Sequence, residues 1–270
     1  MKHSVVLSAQ PARFAAATFK GDLSDNLRNI ASLGYDGVEL AIRDPALLEV
    51  NEMERLVSAY RLQVPAIGTG QAWGEEGLSF TDPDPAIRRR AVERIKSHVP
   101  VAARFEALII IGLIRGIVKP GVEFAQAMDW LVRALDECAR SADDSGVRLA
   151  LEPINRYETT LINTVEQGLE LVRVVGAGNF GLLLDTFHMN IEEPHIEAGI
   201  SSCGSHIFHF HVADSNRWHP GAGHLDFPSI LKSLGGTGYR AWVSGEFLPR
   251  PDALTAADRG IDFLRRCEAG

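Results

Sequence analysis

The chain has 270 residues, of which 46% are hydrophobic, 7% aromatic and 23% charged, and its formal net charge is -8. These are the proportions of a globular protein able to bury a large core, and they argue against a disordered chain. The acidic balance also argues against a general binder of nucleic acid or of an anionic membrane surface, which needs a cationic face. No run of 18 apolar residues occurs, so no spanning helix is expected, and the opening MKHSVVLSAQ has too short an apolar run for a secretory leader. Cys138, Cys203 and Cys267 lie far apart with no CxxC pair, so reduced thiols and a cytoplasmic setting are expected.

In chain order, short apolar runs rich in β-branched residues alternate with longer amphipathic segments. Residues 5–7 read as a first strand, followed by a helix over 23–33. Strand 37–42 precedes a helix over 52–61, strand 64–68 one over 85–104, and strand 107–113 one over 122–142. In the second half, strand 147–153 leads to helix 165–175, and strand 180–187 to a weak helix over 196–203. Strand 207–212 leads to helix 228–234, and strand 241–247 to a closing helix over 254–266. Gly34, Gly146, Gly176 and Gly238 stand where helices end, offering the left-handed cap that a turn into a strand favours.

Eight strand and helix units in about 250 residues are what an α/β fold of the single (β/α)8 TIM barrel type requires, with a doubly wound open sheet as the competing arrangement. No linker rich in Pro, Gly or Ser divides the chain, so residues 1–270 read as one domain. The spelling GxGxxG at 176–181 is a decoy for dinucleotide binding. Those glycines close a helix and open a strand, whereas the fingerprint needs them between a strand and a following helix.

In a barrel, chemistry gathers at the C-terminal ends of the strands. There, four consecutive strands supply Glu152, Asp185 with His188 just beyond it, His211, and Glu246. A carboxylate buried in an apolar strand costs several kcal/mol, roughly, unless it is paired or bound to a cation, and three converging carboxylates repel one another. A divalent metal held by Glu152, Asp185, His211 and Glu246 resolves the conflict. The oxygen-rich set suits Mn2+ or Mg2+, with Co2+ or Zn2+ as substitutes. The run HFHVADSNRW at 209–218 fits this reading, since strand alternation puts His209 and His211 on one face and Phe208 and Phe210 on the face toward the helices. His211, nearer the strand's end, is the expected ligand, and His209 an inward residue one layer deeper, satisfied by a hydrogen bond. Basic side chains follow the same strands: Lys20, Arg43, Arg115, Arg156 and Arg217. They suggest an anionic or polyhydroxylated substrate, although Asp44 and Glu158 stand ready to neutralise Arg43 and Arg156.

The runs EPINRYE (152–158), DTFHMNIEE (185–193), HFHVADSNRW with PGAGHLDF (220–227), and the GE of the eighth strand resemble the ketose 3-epimerases of the xylose-isomerase-like barrel superfamily, over nearly the whole chain. That resemblance implies Mn2+ bound by Glu152, Asp185, His211 and Glu246, with Glu152 and Glu246 doubling as acid and base. It implies that His188, Arg217 and Glu158 hold the substrate's carbonyl-end oxygens, and that the chain forms a homodimer or homotetramer. FKGDL (19–23), RDP (43–45), AIGTGQA (66–72) and IIGLIRG (110–116) resemble the 5-keto-L-gluconate epimerases within that superfamily. With Lys20, Arg43 and Arg115 at the rim, a keto sugar acid, 5-keto-L-gluconate to D-tagaturonate, is the expected substrate. The alternatives are a neutral ketose (D-tagatose, D-psicose, L-ribulose) or an aldose-ketose or inosose isomerisation. A metal-dependent phosphodiesterase needs further ligands on early strands, where Glu39 is the one candidate and reads better as a satisfied polar residue of the barrel wall. A non-catalytic sugar-binding barrel would have no use for the pair Glu152 and Glu246, and no GxSxG elbow or Cys/His pairing points to nucleophilic hydrolysis.

Overall fold

A computed structural model describes residues 1–269. Eight parallel strands close on themselves in sequence order: β1 (Lys2–Ser8), β2 (Gly37–Ala41), β3 (Ala66–Gly68), β4 (Leu108–Ile111), β5 (Leu149–Leu151), β6 (Phe180–Asp185), β7 (Ile207–Val212) and β8 (Trp242–Gly245). Pairing of β1 with both β2 and β8 shuts the barrel, so the open-sheet alternative falls. Around it run α1 (Leu23–Ser32), α2 (Val50–Ala59), α3 (Gln71–Glu76), α4 (Pro85–Phe105), α5 (Phe124–Asp143), α6 (Val165–Val175), α7 (Thr186–Glu192), α8 (Ile196–Cys203), α9 (Phe227–Gly236) and α10 (Ala253–Ala269). This is a single (β/α)8 barrel.

Local chemistry sets the boundaries. At α6, the Thr164 hydroxyl accepts from the Gln167 amide at 3.2 Å while the Gln167 side chain accepts from the Thr164 amide at 3.4 Å, closing both ends of a capping box. The helix stops at Gly176, whose φ of 66° a side chain would resist. The same residue opens the GxGxxG decoy, so the turn accounts for it.

Strand alternation sorts the core into two compartments. On β2, Val38 and Leu40 join the large apolar layer between barrel and helices, while Glu39 and Ala41 turn inward. Inside, Ala66, Leu108, Ile110, Ala150 and Leu183 form a separate apolar plug. Phe208 packs on that plug, and so departs from the expectation that it faces the helices as Phe210 does. The cause is a register shift in the pairing of β6 with β7 between Leu182 and Leu183. Gly181 leaves the space: a Cβ there would lie 2.7 Å from the Phe208 ring. Gly181→Ala should therefore destabilise the fold by about 1–3 kcal/mol through overpacking, read as a lower urea midpoint at unchanged m-value.

Candidate active site

The barrel brings four side chains to its C-terminal mouth. Glu152 immediately follows β5, Asp185 ends β6, His211 lies in β7 and Glu246 immediately follows β8. One ligand-type atom from each lies within 4.8 Å of all the others. The sixth strand stops at Asp185 rather than running to Phe187, because Asp185 caps a helix: its Oδ1 accepts from the Phe187 amide at 2.7 Å and α7 begins. One helical turn later His188 comes round to the same side, buried, with Nε2 3.6 Å from Glu152 Oε1. An Asp followed by a helical pattern is an N-cap signal that was readable in the sequence.

Three polar atoms in this cluster are buried without a hydrogen-bond partner: Glu152 Oε1, Asp185 Oδ2 and His211 Nδ1. They face one another, Nδ1 of His211 standing 3.8 Å from the Glu152 oxygen and 3.7 Å from the Asp185 oxygen. Buried orphans of this kind cost energy unless something satisfies them. Donors placed about 2.0–2.2 Å from a common small cation lie at most about 4.4 Å apart, close to the spacing found here. The donor set, three carboxylates and one imidazole, fits a divalent ion of the Mn2+ or Mg2+ kind. The protonation states agree. Burial, then the charge of Glu246, holds the Glu152 carboxyl well above the usual range. Burial also lifts Glu246 to about 7, against the pull of His211 and Arg217. In Asp185 burial is outweighed by neighbouring His211, His188 and Arg217, which leave its carboxyl at about 2. Two carboxyls holding protons beside one that does not is how an uncompensated carboxylate cluster relieves its repulsion.

Above the cluster lies a cavity of about 290 Å³, lined by His188, Glu158, Arg217, Phe14 and Trp73 among others. Burial lowers His188 to about 4, so its ring is neutral at pH 7. Its Nδ1 stands 2.8 Å from Asn155 Nδ2, which can only donate, so the ring proton sits on Nε2 and points toward Glu152 and the cavity. Asn155 also donates to Glu158 Oε1 at 2.8 Å. Arg217 reaches Glu158 at 3.0 Å and Glu246 at 3.2 Å, and its guanidinium lies over Phe187 and Phe14. Its backbone φ of 60° is uncommon for a side-chain-bearing residue, and such strain persists where surroundings over-determine it. Here the Arg217 amide donates to Asp214 and its carbonyl accepts from Leu248.

The structure gathers Glu152, Asp185, His211, Glu246, His188, Glu158 and Arg217, but not the other expected cations. Arg115 is fully buried beneath the site, donating to the Glu152 carbonyl, and burial lowers its guanidinium to about 10. Arg43 pairs with Glu76 at 3.5 Å, while Asp44, its expected partner, binds Arg94 at 3.2 Å. Lys20 donates back to the carbonyl of Phe14. None of these three lines the cavity. Arg156 pairs with Glu192 at 2.7 Å rather than with Glu158. The stretch 71–84 starts as α3 and contributes Gln71, Trp73 and Glu75 to the cavity wall. Sequence reading missed Asn155, although it sits within EPINRYE. It also missed Arg13, which meets Glu75 at the outer edge of the cavity, and neither residue carried a periodic signal.

A closed parallel barrel with a carboxylate and histidine cluster that could hold a metal ion at its C-terminal mouth has the layout of a barrel enzyme. The sequence profile of the xylose isomerase-like TIM barrel family matches residues 27–267, and the chain belongs to that family. It is an enzyme of the epimerase and isomerase type. It is 31% identical over 246 residues to the L-ribulose 3-epimerase of Mesorhizobium japonicum, covering 90% of this chain and 79% of that one. To the 3-dehydro-D-guloside 4-epimerase of Escherichia coli it is 28% identical over 277 residues, covering 93% and 97%. Among solved structures, D-allulose 3-epimerase from Methylomonas sp. in complex with D-allulose superposes with a TM-score of 0.83 at 25% identity, covering 98% and 96%. Among the described residues no helix is long and apolar enough to cross a membrane.

Proposed function

We infer that this enzyme is a divalent-metal-dependent epimerase that inverts the hydroxyl-bearing carbon next to the ketone of a neutral ketose. The observation that carries the reading is the convergence of unpartnered Glu152 Oε1, Asp185 Oδ2 and His211 Nδ1 beside Glu246. A divalent ion held by these four residues would supply Lewis-acid polarisation of the substrate ketone. Of the pair Glu152 and Glu246, one takes the proton from the adjacent carbon to give an enediolate, and the other returns a proton to the opposite face. The Nε2–H of His188 would donate to an oxygen at the ketone end, and Arg217 with Glu158 would fix the neighbouring hydroxyls, a role supported by their position around the cavity. The similarity to the L-ribulose and D-allulose 3-epimerases supports the same reaction.

The keto sugar acid expectation rested on the resemblance of FKGDL, RDP, AIGTGQA and IIGLIRG to the 5-keto-L-gluconate epimerases and on cations at the rim. With Lys20, Arg43 and Arg115 outside the cavity, Arg217 shared between Glu158 and Glu246, and Arg13 beside Glu75, each arginine of the cavity wall already has a carboxylate partner. A substrate carboxylate gains little there, and a neutral polyol is the better fit. The test is proton NMR in D2O with Mg2+-loaded protein, offering D-tagatose, D-psicose and L-ribulose beside 5-keto-L-gluconate. Deuterium should enter next to the ketone with a new epimer growing in, and faster for a neutral sugar. A tenfold or greater preference for the acid would restore the sugar-acid reading, and isomerisation to an aldose would move the reaction to the neighbouring carbon. The family resemblance supports a homodimer or homotetramer, the free Cys138, Cys203 and Cys267 support a cytoplasmic setting, and light scattering should return the mass of two or four chains.

A further inference from the structure

A second carboxylate and histidine group lies directly beneath the proposed metal site. Glu39 of β2 is fully buried, and nothing in the reaction just described uses it. Its Oε2 lies 2.9 Å from His211 Nε2 and 2.9 Å from His209 Nε2, and its Oε1 lies 3.1 Å from His211 Nε2. An ionised carboxylate can only accept, so both imidazoles must donate through Nε2. For His211 this leaves Nδ1 as the free nitrogen, and Nδ1 is the buried, unpartnered atom that faces Glu152 and Asp185. The two rings stand edge to face with centroids 5.3 Å apart, so neither turns without displacing the other. Small neighbours make room for this layer: Gly68 and Ala41 flank Glu39 on the inner wall.

We propose that Glu39 is a positioning residue for the metal centre: with His209 holding its Oε2 in place, it fixes His211 in the Nε2–H tautomer and aims Nδ1 at the ion. The inference rests on the metal-dependent reading above and extends it one layer inward. A ligating imidazole whose remote N–H is held by a carboxylate is both oriented and made more basic, and loss of such a partner typically weakens metal binding about 10–100-fold. A wall residue that served packing alone would leave metal affinity untouched when replaced by its isostere.

The test compares wild type and Glu39→Gln by titrating the chelator-stripped proteins with Mn2+. The expected result is a Kd raised about 10–100-fold in the variant, with activity partly recovered at saturating Mn2+ and KM for the sugar unchanged. A variant that folds and binds Mn2+ within about threefold of wild type, on the scale of that same expectation, overturns the proposal. Should the variant fail to fold, the tautomer is read in the wild type itself. In the Mg2+-loaded chain, long-range proton–nitrogen NMR should show His211 protonated at Nε2, whereas a proton on Nδ1 overturns the proposal. A wild type that takes up neither ion removes the metal reading and this inference together, and so differs from the result that removes this inference alone.

Discussion

Glu246→Gln is expected to lower kcat for epimerisation by about 10²–10⁴-fold, the usual contribution of a positioned acid-base group. Substitution at Glu152 should do the same, because burial raises both carboxyls, Glu246 to about 7, and so prepares each to hold and release a proton. The two variants should nevertheless be distinguishable in D2O. If each glutamate serves one face of the substrate, each single variant leaves one epimer able to exchange its own proton through the surviving carboxyl, and leaves the other epimer inert. Glu152→Gln and Glu246→Gln should therefore retain exchange on opposite epimers while conversion between them is lost. Mn2+ content must be measured alongside, since both residues are also proposed ligands. Conversion at the wild-type rate in either variant, with the ion bound, would sink the two-base scheme.

The barrel and its centre were legible for the same reason: both are written in strand periodicity. Runs such as LALEPI and LLLDTFH interrupt an apolar strand with one acid near its end, and an acid there is either compensated or functional. What could not be read was anything set by the direction of a long side chain across the barrel mouth. Lys20, Arg43 and Arg115 follow the right strands, yet each finds a carbonyl or carboxylate nearer than the cavity. Arg115 and Arg217 look alike in sequence, but one is folded under Glu152 and the other is drawn across the cavity by Glu158, Glu246 and two aromatic rings. Phe208 was lost to a register shift, which alternation cannot foresee. Glu39 was correctly read as a satisfied residue of the wall, but what satisfies it is a pair of histidines 170 and 172 residues away, a contact that only barrel closure creates.

Removing and restoring the ion should have the second large effect, on stability as well as activity. An ion that binds the folded chain and not the unfolded one stabilises by about 2.7 kcal/mol at one hundred times its Kd. At about 2–4 °C per kcal/mol for a chain of this size class, Tm should rise by about 5–10 °C on adding Mn2+ to the stripped protein. The pH dependence has a definite sign. In the stripped site Glu246 holds its proton up to about 7 and Glu152 higher than an ordinary carboxyl, so the folded chain binds more protons there than the unfolded chain does. The share of stability that these two carboxyls contribute to the stripped protein should therefore be lost as pH rises from the unfolded carboxyl range, about 4.3, toward 7, while buried His188, lowered to about 4, contributes in the opposite sense. The ion must displace those protons, so its affinity rises over the same window, by up to about tenfold per pH unit for each proton released. The Mn2+-induced rise in Tm should accordingly be larger at pH 7.5 than at pH 5.5, in differential scanning calorimetry at fixed Mn2+. A shift that is flat or reversed with pH would mean that Glu152 and Glu246 are not where the ion binds.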